Sequence, residues 1–288
     1  MNALESVRLT PLMERTSGRP EIVIALIDGP VLMQDVALWG NNVRQFDSKL
    51  PATCKHASSA ACMHGTFVAS ILAAKRDSGA PAICPDCTLL VRPIFPESDP
   101  HNGQMPSASP DELAGAIVDA VNGGASVLNL SVSLAESSAP GRKRLEEALN
   151  YAAARDVVTV AAAGNQGMIG GSVLTSHPWT IPVIACDDSG RPLASSNLSA
   201  STGQRGLSAP GENVRVIGPD AAISGISGTS AAAPFVAGTA ALLRSAFSRA
   251  TATAIKVALT DRKMGQRRGL IPPLLDAWAA YQVLVGMA

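Results

Sequence analysis

Apolar runs and helix-like patterns alternate along most of the chain. Short runs rich in β-branched residues, bounded by glycine, proline or polar residues, predict strands over 22–28, 88–94, 126–132, 157–163 and 181–186. Apolar residues at helical spacing predict helices over 64–76, 110–122, 141–155, 229–247 and about 273–285. This alternation predicts an α/β fold with a mostly parallel central sheet and helices on both faces.

Asp28 follows six consecutive apolar residues, four of them β-branched, which predict a strand buried on both faces. In α/β folds, functional sites lie at the carboxyl ends of such strands. The alternative is a turn-forming aspartate before Gly29 and Pro30, and the residues around Asp28 favour neither interpretation.

His64 precedes apolar residues at 67, 68, 71 and 72, so we expect it at the start of a helix beside Gly65. Taken alone, a helix-capping histidine is the simpler interpretation. Ser230 follows Gly228 and Thr229 and opens a long apolar helix. A serine there is either an ordinary N-cap or a nucleophile whose own backbone N–H can stabilise an oxyanion.

Asn165 closes another apolar strand between Gly164 and Gly167. An asparagine at such a position is usually a turn residue, although its amide can also donate a hydrogen bond to an oxyanion. An acid, a histidine, an asparagine and a serine, each at a strand end or a helix start, indicate nucleophilic catalysis.

Four motifs resemble those of subtilisin-type serine proteases of family S8: Leu26-Ile27-Asp28-Gly29, His64-Gly65-Thr66, Ala163-Gly164-Asn165 and Gly228-Thr229-Ser230-Ala231-Ala232-Ala233-Pro234. The resemblance implies a three-layer subtilisin-like fold, an Asp28, His64 and Ser230 catalytic triad, and Asn165 as oxyanion donor. The family usually has serine or threonine between the acid and its glycine. Here Gly29 follows Asp28 directly, so a hydroxyl near the acid is missing.

Three further features narrow the resemblance to one group of these proteases: the Asp-Gly-Pro variant, the run Cys62-Met63-His64-Gly65-Thr66-Phe67 and the segment 82–94. They are similar to proteases of cyanobactin and related peptide-maturation clusters. Those enzymes cut a leader from a ribosomally made precursor peptide, and a sister branch also macrocyclises. The resemblance therefore implies a processing endopeptidase that acts on a peptide or protein substrate.

The same resemblance implies how a substrate binds: as an added strand held by main-chain hydrogen bonds. One edge would come from Ser131, Val132 and Ser133, and the opposite edge from the loop 101–104, which includes Gly103 and is otherwise an ordinary surface loop. The floor of the first specificity pocket would come from Ala162, Ala163, Gly164 and the turn 170–172.

Composition excludes several classes of protein. With 47% hydrophobic and 16% charged residues, the 288-residue chain is typical of a globular domain. A formal net charge of +0 argues against nucleic-acid binding, and no apolar run reaches the length of a membrane span. We expect one peptidase domain over 1–288 with an N-terminal extension over 1–20, no pro-domain, no metal and no cofactor.

The first residues lack a basic start followed by an apolar stretch, so we expect no signal peptide and a cytoplasmic enzyme. Cys54 and Cys62 flank a short loop before His64, and Cys84 and Cys87 have Cys-x-x-Cys spacing. Disulfides, free thiols and a zinc site from these four cysteines all remain open. Cys186 is expected to be a buried apolar cysteine.

Two alternatives to a processing protease remain. A broad-specificity degradative subtilisin would usually be exported and carry calcium loops, and Asp187-Asp188 is only weak evidence for such a loop. A pseudo-protease that binds peptides without cleaving them is disfavoured because all four functional groups are present.

Overall fold

In the computed structural model, which describes residues 2–33, 39, 42–97, 108–132, 141–219, 221–260 and 269–287, seven strands form one sheet. They are β1 (Val23–Asp28), β2 (Val43–Gln45), β3 (Thr88–Pro93), β4 (Val127–Leu130), β5 (Val158–Ala162), β6 (Ile181–Cys186) and β7 (Leu207–Pro210). Every neighbouring pair is parallel, in the order β2-β3-β1-β4-β5-β6-β7. Two further strands, β8 (Val214–Ile217) and β9 (Ile223–Ile226), form an antiparallel hairpin.

Ten helices accompany the strands in the described part of the chain: α1 (Ala3–Ser6), α2 (Thr10–Met13), α3 (Ala60–Ala73), α4 (Pro110–Asn122), α5 (Arg142–Ala154), α6 (Val173–Ser176), α7 (Ala200–Arg205), α8 (Thr229–Ala246), α9 (Ala252–Thr260) and α10 (Ala277–Met287). The predicted strands and the five long predicted helices are all present, with ends shifted by up to four residues.

Helices cover both faces of the sheet. Alternate residues along β1 show this, because they pack in two different apolar clusters. Ile24 and Leu26 belong to one apolar cluster, which includes α3 and α8. Ala25 and Ile27 belong to the other, which includes α4 and α5. The structure therefore has the three-layer α/β architecture predicted from the alternating pattern.

The predicted start of the His64 helix was wrong by one turn. Helix α3 begins at Ala60, and the Ser59 hydroxyl accepts a hydrogen bond from the Cys62 backbone N–H at 3.2 Å. This N-cap satisfies a donor that the first turn leaves unpaired. His64 is consequently the fifth residue of the helix, and it lies in the second turn rather than at the start.

The elements that the sequence did not reveal are short. Strand β2 has three residues and two of them are exposed, so it lacks an apolar run. Residues 2–20, predicted only as an extension, form α1 and α2 and contribute the fully buried Val7, Leu9 and Leu12 to the core. Within the described residues, none of the helices is both long and apolar enough to traverse a membrane.

Candidate active site

Asp28 lies at the carboxyl end of β1 and is fully buried. Its Oδ1 accepts hydrogen bonds from the Gly29 backbone N–H at 2.6 Å and from His64 Nδ1 at 2.7 Å. A buried carboxylate requires such partners because water cannot solvate it. The acid therefore holds the imidazole by its Nδ1 edge. It favours the tautomer that is protonated on Nδ1, in which Nε2 is unprotonated.

His64 is the partly open member of this pair, since its side chain is 20% exposed. Burial lowers the pKa of His64, whereas the negative charge of Asp28 and the hydrogen bond to it raise the pKa. The two effects of Asp28 together outweigh burial, so the pKa lies above the ordinary value. A carboxylate at this distance stabilises the imidazolium form. The pair is thus suited to proton transfer, since His64 can accept a proton and hold it briefly.

Two glycines allow α3 to approach β1 closely enough for this bond. A Cβ on Gly29 would lie 2.0 Å from the Ala61 carbonyl oxygen, and a Cβ on Gly65 would lie 2.4 Å from the Pro30 carbonyl oxygen. Neither contact is possible for a side chain. The Ala61 carbonyl in the first turn of α3 therefore occupies the space that a side chain at position 29 would need.

The two oxygens of Asp28 differ in their polar contacts. Its Oδ2 is buried and has no hydrogen-bond partner among the described residues. The carboxylate therefore uses Oδ1 for its contacts with Gly29 and His64.

Ser230 is the second residue of α8, at the end where backbone N–H groups lack helical acceptors. The helix is entered through Gly228, whose φ of +127° is in the region that favours glycine. A Cβ on Gly228 would also lie 2.9 Å from Asn165 Nδ2. Gly228 therefore allows Asn165 to lie directly against the N-terminus that carries Ser230.

Asn165 is oriented by Thr229, a residue whose role the sequence did not reveal. Asn165 Oδ1 accepts hydrogen bonds from the Thr229 backbone N–H at 2.8 Å and from its hydroxyl at 3.0 Å. The Thr229 hydroxyl also accepts a bond from the Gly164 backbone N–H at 3.1 Å. Because the Thr229 amide can only donate, the oxygen of Asn165 faces the helix and its NH₂ group points away from Thr229.

The residues expected to contact a substrate are placed unevenly. Ala162 ends β5, Ala163 and Gly164 follow it and lead to Asn165, and both alanines are buried. Ser131 and Val132 follow β4 and are buried as well. Ser133, Gly103 and the loop 101–104 lie outside the described residues. The side chain of Ser131 is directed inward, where its hydroxyl donates a 3.2 Å hydrogen bond to the Ser230 carbonyl.

The cysteines separate into a bonded pair and three buried thiols. Cys54 and Cys62 form a disulfide, whereas Cys84, Cys87 and Cys186 are not in disulfides. Burial raises the pKa of Cys84 well above the ordinary value, and burial raises that of Cys186 to about 12. With two of its four sulfurs joined to each other, the predicted alternative of one zinc site from Cys54, Cys62, Cys84 and Cys87 is not what the structure contains.

Comparisons with known proteins agree with this fold. The family model described as "Subtilase family", peptidase S8, matches residues 20–270. The alkaline protease of Alkalihalobacillus alcalophilus is 33% identical over 182 residues, which cover 63% of this chain and 44% of that protein. The chain therefore spans less than half the length of this curated relative.

Two solved structures are similar over nearly their whole length. A mutant of the protease domain of PatA, a patellamide maturation protease, has a TM-score of 0.82 and 30% identity, with 94% of this chain and 98% of that chain covered. The prenylagaramide maturation protease PagA has a TM-score of 0.82 and 29% identity, with 96% and 98% covered. These matches confirm the predicted subtilisin-like fold.

Proposed function

Because the chain belongs to the subtilase family of S8 peptidases, we propose that it is a serine endopeptidase in which Ser230 is the nucleophile, His64 the general base and Asp28 the acid that orients the base. The observation that carries this proposal is the 2.7 Å contact between His64 Nδ1 and Asp28 Oδ1. A triad requires a base held in one tautomer by a buried acid, and this contact supplies both conditions.

In the proposed first step, unprotonated His64 Nε2 takes the proton of the Ser230 hydroxyl as its Oγ attacks the scissile carbonyl carbon. The imidazolium that forms is stabilised by Asp28, and it then gives the proton to the leaving amine. Water, activated by the same histidine, attacks the resulting acyl-enzyme and releases the acid product with Ser230 regenerated.

The oxyanion of the tetrahedral intermediate would be bound by the Ser230 backbone N–H and the Asn165 side-chain NH₂. The hydrogen bonds from Thr229 to Asn165 Oδ1 support this assignment, because they hold the amide with its donor end directed away from the helix. Such preorganised donors stabilise charge without reorganisation at the moment of reaction.

We infer that an extended peptide binds as an added strand along Ser131, Val132 and Ser133, with its first side chain over Ala162, Ala163 and Gly164. The small residues at the end of β5 support an uncharged pocket. The opposite edge remains assigned to the loop that includes Gly103. Main-chain pairing of this kind gives affinity, and the side-chain pockets give selectivity.

The natural substrate that we propose is a ribosomally made precursor peptide, from which the enzyme removes the leader. The similarity to two maturation proteases over more than nine tenths of the chain supports this substrate class. The location of the enzyme in the cell stays a prediction. Disulfides are typical of oxidising compartments, so the Cys54–Cys62 bond weighs against the predicted cytoplasmic location unless the bond is reduced there.

Labelling with a fluorophosphonate probe tests the catalytic assignment. The native protein should be modified at Ser230, and both heat-denatured protein and Ser230→Ala should remain unlabelled. Absence of labelling in the folded native protein would favour the pseudo-protease alternative. A comparison of a precursor peptide with casein then tests the substrate class: one cut in the precursor and slow casein cleavage supports processing, whereas rapid digestion of casein at many sites supports a degradative enzyme.

A further inference from the structure

Next to the proposed base lies a cluster of three potential metal ligands, Cys54, Cys62 and Glu97. The two sulfurs and a carboxylate oxygen of Glu97 all lie within 4.8 Å of one another. Both cysteines are buried and the carboxylate is half-buried. The disulfide accounts for the two sulfurs in the oxidised protein, and the carboxylate is held beside them by hydrogen bonds of its own.

The carboxylate of Glu97 is fixed independently of the sulfurs. It accepts hydrogen bonds from the backbone N–H groups of Lys55 and His56, both at 2.8 Å, and from the Ser59 hydroxyl at 3.2 Å. A carboxylate has about four acceptor positions, so these three donors leave one position free within the described residues. That free position belongs to Oε2, which accepts only the Lys55 bond among these three.

The two cysteines are also held by the backbone on each side. The Cys54 N–H donates to the Val31 carbonyl at 3.2 Å, three residues beyond Asp28. Cys62 lies in the first turn of α3 and donates its N–H to Ser59 Oγ at 3.2 Å. Cleavage of the sulfur–sulfur bond would therefore leave both side chains facing each other, with Cα atoms 5.6 Å apart in the oxidised form.

We propose that, when this disulfide is reduced, Cys54, Cys62 and Glu97 bind one Zn²⁺ ion. A thiol reductant supplies the two electrons and two protons: its own two thiols become a disulfide, and Cys54 and Cys62 become thiols. Binding of Zn²⁺ then displaces the two thiol protons to solvent, so affinity should rise with pH. Water fills the fourth position of a tetrahedral S₂O₂ site.

The geometry permits this change with little movement of the backbone. Zn–S distances of about 2.3 Å around a tetrahedral ion place two sulfurs roughly 3.8 Å apart. Side-chain rotation can supply that separation between fixed Cα atoms. Without a cation the two sulfurs stay protonated as thiols, because two thiolates beside a carboxylate would place three negative charges close together in a partly buried space.

The ion would take over the mechanical role of the covalent bond. The bond between Cys54 and Cys62 links the first turn of α3, where Ala61 packs against Gly29, to the segment whose backbone hydrogen-bonds Val31. His64 lies on the next turn. The site would therefore maintain the contact between Asp28 and His64 in a reducing compartment, where the disulfide does not persist.

Titration of the reduced, full-length protein with Co²⁺ and then Zn²⁺ tests the site without reference to proteolysis. We expect one equivalent bound, with a thiolate-to-cobalt charge-transfer absorption that Zn²⁺ removes, and no such absorption in the oxidised protein. Cys54→Ser with Cys62→Ser should abolish binding, and Glu97→Gln, which keeps an acceptor for the loop amides, should weaken it at least tenfold. Cys84→Ser with Cys87→Ser is the matched control and should bind normally.

A second measurement uses the wild-type chain alone. After reduction, Zn²⁺ should protect Cys54 and Cys62 from alkylation, as mapped by peptide mass, and should leave the reactivity of Cys84 and Cys87 unchanged. The proposal is overturned if reduced, folded protein binds no stoichiometric ion, if binding survives loss of Cys54 and Cys62, or if Glu97→Gln binds as tightly as the wild type. None of these outcomes depends on whether the protein cleaves peptides.

Discussion

The hydroxyl of Ser131 donates a 3.2 Å hydrogen bond to the backbone carbonyl of Ser230. That carbonyl would normally accept the N–H four residues later in α8, but Pro234 stands there and has no N–H. Asn129 Nδ2 in turn donates to Ser131 Oγ at 2.8 Å. A residue expected to bind substrate only through its backbone therefore also holds the first turn of the helix that carries the proposed nucleophile.

Replacement of Ser131 tests this support. Ser131→Ala should lower the free energy of unfolding by about 1–3 kcal/mol, because the Ser230 carbonyl and the Asn129 amide both lose a buried partner. It should also lower kcat, while Ser131→Thr, which keeps the hydroxyl, retains most of both. Ser126→Ala at the other end of β4 is the matched control, because Val23 keeps a backbone donor there. Equal effects of Ser131→Ala and Ser126→Ala would contradict the special role of Ser131.

The raised pKa of His64 predicts how activity and stability depend on pH. The proposed mechanism needs the neutral imidazole of His64, so kcat/KM should fall as pH decreases through the pKa of His64, which lies above its ordinary value because of Asp28. The stability that the contact between protonated His64 and Asp28 contributes has the opposite pH dependence. It is fully present below the pKa of histidine in the unfolded chain, roughly 6.5, and is lost as pH rises through the higher pKa in the folded protein.

Asp28→Asn is the variant that isolates this effect. It should reduce the rate on the order of 10⁴-fold and move the His64 titration to lower pH, since the charge that raises the pKa is gone. Titration of the imidazole by NMR measures the shift directly. An unchanged His64 titration in Asp28→Asn would mean that the carboxylate does not set the pKa.

Asn165 is expected to act on kcat more than on substrate binding. Asn165→Ala removes one of the two proposed oxyanion donors and should lower kcat about 10²–10³-fold with a small change in KM. Asn165→Asp is the informative companion, because its oxygen can still accept the Thr229 N–H while the donor is lost. Normal kcat with a raised KM in either variant would instead make Asn165 a binding or turn residue.

How much of the site could be predicted depended on whether the residues were local in sequence. Asp28, His64, Asn165 and Ser230 each lie in a short motif at a strand end or near a helix start, and a parallel sheet brings such ends to one edge. Glu97 had no motif: its partners lie some forty residues earlier, and only the folded chain brings them together. The first turn of α3 was missed for a similar reason, because its alanines and cysteine carry no helical pattern and depend on the Ser59 cap and the bond to Cys54.

The close approach at Gly29 gives a further test of that extra turn. Gly29→Ala should destabilise the protein by at least about 1–3 kcal/mol, because its Cβ would meet the backbone carbonyl of Ala61 at 2.0 Å. Activity should fall as well, since α3 carries His64. The control is Gly115→Ala in α4, where the new Cβ would have no described atom outside the adjoining helix within 4 Å and a helix former should stabilise slightly. Similar melting temperatures for the two variants would show that α3 can shift without cost.

Reduction of the Cys54–Cys62 disulfide should lower the melting temperature when a chelator is present. The two cysteines are 8 positions apart, and a loop of that length constrains the unfolded chain by roughly 2–3 kcal/mol. Reduction should affect kcat more strongly than the global free energy of unfolding. The reason is that the released segment includes the turn that holds Ala61 against Gly29. Calorimetry of the oxidised and reduced protein measures the change in stability, and kcat in the same buffers measures the change in catalysis. Cys54→Ala with Cys62→Ala should match the reduced protein and be insensitive to reductant, whereas an unchanged melt on reduction, with all five thiols titrating in the native protein, would contradict the bond.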